Sequence, residues 1–212
     1  MSDFLKVIET RRSVRKFKST PVPKEDLLKI IKAASMAPSG GNQQNWHFII
    51  IENKKIKETM RVAVEQAVKD LLAKVNSKKA SEEISSYSKY FTFFTEAPVL
   101  ICVIEKPYDS LITRLIEKYT GAKRLSNSGI QGVSAAIENL LLAAHDLGYG
   151  ACWMTGPLLA REAFNKILKV NAPDQIAALI PIGIPDSAPG APPRKPLEEI
   201  VTFLKTCGVI FL

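Results

Sequence analysis

The sequence predicts a single α+β (mixed α/β) domain over residues 1–212, with a central mixed sheet flanked by helices. Three observations carry this expectation. WHFIII from Trp46, PVLICVI from Pro98 and IAALIPI from Ile176 are apolar runs of strand length, continuous rather than alternating, as in strands covered on both faces. Stretches with helical apolar spacing lie between them. Their order, αα-β-αα-β-α-β-α-β, departs from the strict alternation of a doubly wound sheet, so antiparallel or mixed pairing is expected.

The elements follow in chain order. Phe4, Val7 and Ile8 give helical spacing over Asp3–Arg11. Pro23 starts a stronger helix, Glu25 and Asp26 suit its first turn, and Leu27, Leu28, Ile30, Ile31 and Ala34 form its apolar stripe, with Pro38 as the stop. A polar loop, Ser39–Asn45, leads into WHFIII. Lys54–Lys74 reads as helix, and Ser81–Glu96 as a less regular one. After PVLICVI, Ile130–Leu147 is a long helix so poor in polar residues that burial on most sides is expected, a subunit interface included. Gly148 and Gly150 end it. ACWM is a short strand, Leu158–Val170 a helix, and Ile176–Ile182 a strand ending at Gly183. The tail GVIFL is apolar; it either packs on its own core or adds a strand to the sheet edge of a second copy.

Composition narrows the function. A chain with 46% hydrophobic and 24% charged residues is globular rather than disordered. Cys102, Cys152 and Cys207 are an odd, scattered set with no CxxC pair, which fits a reducing compartment. The N-terminal MSDFLKVIETRRS lacks the apolar centre of a signal peptide, and no uncharged run is long enough to span a bilayer. A cytoplasmic protein without a membrane partner is expected. The net charge of +8 is largely diffuse lysine (Lys54, Lys55, Lys57, Lys74, Lys78, Lys79), which reads as solvated surface rather than a nucleic-acid site.

Motifs for hydrolysis, nucleotide binding and metal ligation are missing. His47, within a strand, and His145, within an apolar helix, read as structural histidines without ligand spacing, so no metal is expected. Four segments can instead hold an anionic ligand. In RRSVRKF, Arg11–Phe17, an extended backbone puts Arg11, Ser13 and Arg15 on one side, where guanidinium groups can pair with phosphate; a basic helix end serving the dipole is the alternative. In APSGGNQQNW, Ala37–Trp46, Ser39, Asn42 and Gln44 can donate beside two glycines, unless this is a plain connecting loop. In CWMTGPL, Cys152–Leu158, a helix start gathers free N–H groups at Thr155 and Gly156. In PPRKPLEEI, Arg194 and Lys195 stand between prolines. Such a chain has anion-binding groups and little acid/base equipment, which points to a cofactor that carries the chemistry.

Together and in this order, the segments resemble the nitroreductase superfamily of FMN enzymes. Arg11, Arg12, Ser13, Arg15 and Phe17 match RRSxRxF. Ala37, Pro38, Ser39, Asn42, Gln44, Trp46 and Phe48 match APSxxNxQPWxF, with Asn45 in place of proline. Ala135–Gly150 resembles the family's long helix, and WMTG and IPIGIPD…RKPLEEIV its later segments. The likeness is weakest over Lys54–Glu96 and Tyr108–Ser128. It implies a nitroreductase-like fold, a homodimer with the C-terminal segment exchanged, and FMN at the interface reduced by NAD(P)H. A nitroaromatic, quinone or similar small acceptor would then be reduced in a second step. Carried over, Arg11 and Arg194 hold the FMN phosphate with Lys195 assisting, Arg12 belongs to the same motif, Ser13 meets the ribityl chain, and Arg15 lies at the flavin N1/O2 edge. Pro38, Ser39, Gly40 and Asn42 come from the partner. Met154, Thr155 and Gly156 lie near N5, where a backbone contact survives the loss of the acidic residue many relatives carry at the Thr155 position. No side chain is expected to act as a catalytic acid or base. Dehalogenation, flavin breakdown or non-enzymatic flavin binding on the same fold are the alternatives. The aromatic set Tyr87, Tyr90, Phe91, Phe93 and Phe94 reads either as core, the simpler expectation, or as a cap over the flavin.

Overall fold

A computed structural model describes residues 3–121, 127–187, 189–206 and 208–211. Its central sheet has four strands in the order β1-β2-β4-β3: β1 Trp46–Ile51, β2 Val99–Glu105, β3 Gly150–Ala151 and β4 Gln175–Gly183. Every pairing among them is antiparallel. A parallel bridge between Ser13 and Ala151 makes the sheet mixed at its β3 edge.

The continuous apolar runs are explained by two covered faces. Along β2, Val99, Ile101 and Val103 face one core layer, and Leu100, Cys102 and Ile104 face the other. The first layer is closed by α2 (Lys24–Ala34), through Leu27, Ile30 and Ala34, and by α6 (Ser128–Asp146), through Val133, Ala136, Ile137 and Leu140. The second is closed by α3 (Lys54–Leu72), through Met60 and Val64, and by α7 (Arg161–Leu168), through Phe164. A register shift between Val103 and Ile104 skips Ala177, which is how Ile176 and Leu179 of β4 reach the same layer.

Helix ends follow local chemistry. Asn53 caps α3 by accepting from the Lys55 and Ile56 amides. Gly148, at φ +83°, takes the left-handed turn that ends α6. Three expectations shift. The helix expected over Ser81–Glu96 is α4, Lys78–Ser88: Ser77 caps it three residues earlier, and short 3₁₀ turns follow through Thr95. The strand ACWM is paired only at Ala151 and again, by an isolated bridge, at Met154–Leu179. A helix the sequence reading left out, α5 (Leu111–Thr120), is capped by Ser110 and stopped by Gly121 at φ +66°.

The first helix, α1 (Asp3–Thr10), buries no residue; Thr10 Oγ1 joins it to His145 Nε2 of α6 at 2.9 Å. The apolar tail does form a strand, β6 (Gly208–Phe211), but it pairs with β5 (Thr202–Thr206) as a hairpin apart from the central sheet. Cys102 is buried, and burial pushes its thiol up to about 12. Cys207 lies outside the described residues. No described helix is long and apolar enough to cross a membrane.

Candidate functional site

After α1 the chain extends beside β3. Val14 N–H donates to Ala151 O at 3.0 Å, and Ser13 bridges Ala151. The approach depends on Gly150, since a β-carbon there would lie 2.6 Å from the Val14 side chain. Extended geometry alternates the side chains as the sequence implied. Val14 and Arg12 line a pocket with Thr10, His145 and Tyr149, and the Arg12 guanidinium is held by the carbonyls of Glu9 (2.6 Å) and Arg11 (2.7 Å). Arg15 Nη1 donates to Ser13 O at 3.3 Å, and Arg15, Ser13 and Arg11 all pull down the Cys152 thiol against the larger upward effect of burial. The structure therefore groups Arg11, Ser13 and Arg15, and turns Arg12 away from them.

Arg15 reaches a small cavity, about 130 Å³, shared with the Cys152–Pro157 segment and with Tyr87, Tyr90, Phe91 and Phe93. Met154 is buried in the wall, and Thr155 is exposed and Gly156 half-buried at the rim. Gly156 begins a 3₁₀ turn with Pro157 second, so unpaired N–H groups collect there. A β-carbon at Gly156 would come within 2.4 Å of the Phe91 ring. Arg15 is the one charged side chain lining this cavity among the described residues.

Two features here escaped the sequence reading. Glu138 of α6 meets Arg11 Nε at 3.5 Å; its signal was its isolation as the single charged residue in Ser128–His145. The aromatic set also divides: Phe94 is fully buried core, Phe91 and Phe93 are half-buried, and Tyr87 and Tyr90 are exposed. The core expectation therefore fails for both tyrosines.

The other expected site residues lie elsewhere in the single chain. Pro38, Ser39, Gly40 and Asn42 stand at the start of α6, on the end of the sheet where β1 begins: Pro38 O and the Ser39 side chain face Gly132, and the Tyr108 ring packs on Gly40. Ser39 Oγ is taken by the Gln44 amide at 2.9 Å. Asn42 and Gln44 hold φ of +53° and +48°. Asn45, in place of the family's proline, is buried; its Nδ2 donates to Lys106 O at 3.2 Å, and its Oδ1 has no partner. Arg194 and Lys195 are exposed, with Lys195 4.0 Å from Glu199. His145 is half-buried against Thr10, and burial, then Arg11 and Arg12, hold its pKa below the ordinary value. His47 is exposed on β1. No cluster of potential metal ligands occurs among the described residues.

The donor set suits a planar anionic cofactor. Arg15, the Thr155–Gly156 turn start and an acid-free wall fit a polar ring edge. The cavity, about 130 Å³, is small beside ordinary cofactor pockets. Fold and site together define an α+β domain with an acid-free cavity, lined by Arg15 and the Cys152–Pro157 segment, at one sheet edge.

The chain belongs to the nitroreductase family, whose model matches residues 8–184. A Methanothermobacter thermautotrophicus protein named as a candidate NADH dehydrogenase/NAD(P)H nitroreductase is 31% identical over 193 residues, covering 89% of this chain and 80% of the relative. A BluB-like flavoprotein from Clostridium difficile 630 superposes with a TM-score of 0.88 at 33% identity, over 97% of this chain and 100% of the other. An oxidised iodotyrosine deiodinase bound to FMN and 3-iodo-L-tyrosine superposes with a TM-score of 0.69 at 27% identity, over 91% and 95%.

Proposed function

We propose that the protein is a homodimeric FMN-dependent oxidoreductase that takes reducing equivalents from NADH or NADPH and passes them to a small organic acceptor such as a quinone or nitroaromatic. The observation that carries this reading is the convergence of Arg15 with Thr155 and Gly156 in one acid-free cavity, from segments at opposite ends of the sequence. Family membership and the FMN-bound neighbour support it.

FMN is the cofactor, and when bound it would supply the two-electron redox chemistry between nicotinamide and acceptor. The chain's residues do the rest. Arg11 and Arg194 bind the phosphate; the Glu138 contact reaches Arg11 through Nε, at the base of the guanidinium fork. Ser13 faces the ribityl chain. Arg15 would hold a fixed positive charge beside the ring edge of the bound cofactor, where it would favour an anionic reduced form over the neutral oxidised one. The amides of Thr155 and Gly156 would orient the opposite ring edge. A quinone takes two electrons and two protons: the hydride brings both electrons and one proton, and solvent provides the second. No described side chain in the cavity has to move a proton.

The second chain brings Pro38, Ser39, Gly40 and Asn42 to complete the site. A groove of about 500 Å³ between α1, α2 and α6, lined by Phe4, Val7, Met36 and Leu142, supports a subunit interface there, since Phe4 and Met36 are 64% and 62% exposed in the single chain. The β5–β6 segment is the part exchanged between subunits.

Visible absorbance of the purified protein tests this, before and after anaerobic addition of NADPH or NADH. A flavin spectrum that bleaches within seconds, with FMN released on denaturation, is the expected result. No flavin, even after incubation with excess FMN, would end the cofactor assignment. A second reading, reductive dehalogenation of an aromatic substrate, is favoured by the deiodinase neighbour. Release of iodide from 3-iodo-L-tyrosine under the same conditions distinguishes it.

A further inference from the structure

We propose that Tyr87, in the last turn of α4, and Tyr90, in the turn after it, form the acceptor-facing wall of this site and select uncharged planar aromatic acceptors by ring stacking. The inference rests on the FMN reading above and adds the residues that choose the acceptor.

Phe91 fixes the wall to the site. Its ring lies where a side chain on Gly156 would stand, so the aromatic segment packs directly on the strand end expected beside the flavin N5. Tyr87 meets Phe91 edge to face, with centroids 5.6 Å apart and planes at 89°. Tyr90 lies 6.3 Å from Tyr87 at 60°. Both are ordinary aromatic pair geometries. Phe91 thus holds Tyr87 at a set angle, and the two tyrosines line the cavity that contains Arg15. They are 68% and 58% exposed, while the rest of the cluster is packed inward.

The polar face of α4 points elsewhere. Ser85, Ser88 and Lys89 line a separate groove against α3, with Val64, Glu65, Val68 and Lys69. The acceptor side of the cavity therefore presents rings and no described charge other than Arg15, which is matched to the flavin edge. A flat neutral ring laid between this wall and the cofactor gains stacking contacts on both faces; a zwitterion or carboxylate finds no counter-charge on the wall.

The test uses the FMN-loaded protein and menadione as probe. In the oxidised enzyme without nicotinamide, menadione binding is read as quenching of tryptophan fluorescence, because Trp153 lines the same cavity and Trp46 is buried in the core. The Tyr87→Ala/Tyr90→Ala double variant is expected to raise the menadione dissociation constant at least tenfold, and Tyr87→Phe/Tyr90→Phe to leave it within threefold. FMN content after gel filtration, read by visible absorbance, is expected to match wild type in both. Unaltered menadione affinity in a double alanine variant that retains FMN overturns the wall and leaves the cofactor reading standing; a wild-type protein without FMN overturns both. Nitration by tetranitromethane, mapped by mass spectrometry on the wild-type holoenzyme, covers the case where the alanine variant misfolds. Menadione is expected to protect Tyr87 and Tyr90, and equal nitration with and without it overturns the proposal.

Discussion

Arg11 and Arg15 are two residues of one motif with different work to do. Arg11→Ala is expected to weaken FMN binding about 10- to 100-fold, the loss of a charge-assisted hydrogen bond of about 1.5–3 kcal/mol, while riboflavin, which lacks the phosphate, binds as before. Fluorescence titration of both flavins measures the split. Arg15→Leu is expected to keep FMN and slow its reduction by NADPH about tenfold, or about 1.4 kcal/mol at the transition state, in stopped-flow absorbance. His145 acts on stability. Burial and the neighbouring Arg11 and Arg12 depress its pKa in the folded chain below the ordinary 6.5. The unfolded chain therefore binds the proton first as pH falls, so the His145 contribution is complete above about pH 7 and is lost through 6.5 towards the depressed value. Thermal midpoints between pH 7.5 and 5.5 should fall less steeply in His145→Asn than in wild type; parallel curves would dismiss the effect.

Elements show where sequence reasoning works and where it stops. The continuous runs in β1, β2 and β4 stated their own burial, because a strand covered on both faces has no polar alternation to display. Alternation along RRSVR placed Arg11, Ser13 and Arg15 together because period two is a property of extended backbone alone. It could not place Arg12 on the far side as a partner of carbonyls, a consequence of how α1 ends. Nor could it separate Tyr87 and Tyr90 from Phe94: all are aromatic, and only the break of α4 into 3₁₀ turns after Ser88 decides which rings turn outward. α5 carried a serine cap and a glycine stop, but it buries no residue against the other described elements. The loop before β1 gives an element-scale prediction. Gln44 holds φ +48° and Asn45 joins Lys106, so restoring the family's proline by Asn45→Pro forces Gln44 towards extended backbone and removes the Asn45 side-chain bond. A loss of about 1–3 kcal/mol in urea unfolding is expected; a gain would mean the loop relaxes freely.

At the scale of the whole molecule, the residues assigned to the proposed FMN site stand apart within one chain. Basic groups stand at the β3 edge, the polar loop stands where β1 begins, and Arg194 lies on an exposed strap. A twofold partner is the simplest means of bringing these parts together. Light scattering is expected to report twice the 23.4 kDa chain mass. Deleting residues 202–212 is expected to shift the protein towards monomer and to lower FMN retention in parallel, measured by absorbance after gel filtration. Full flavin content in a monomeric truncation would place the whole site in one chain.

The hydrogen bond from Val14 to Ala151 also has a bearing on synthesis. It joins segments that leave the ribosome about 140 residues apart, and β4, which holds β3 in place, emerges later still. During translation the N-terminal arginines are exposed with nothing to close against. Under the FMN reading proposed above, the cavity shared by Arg15 and the Cys152–Pro157 segment is expected to load flavin only after β4 has emerged.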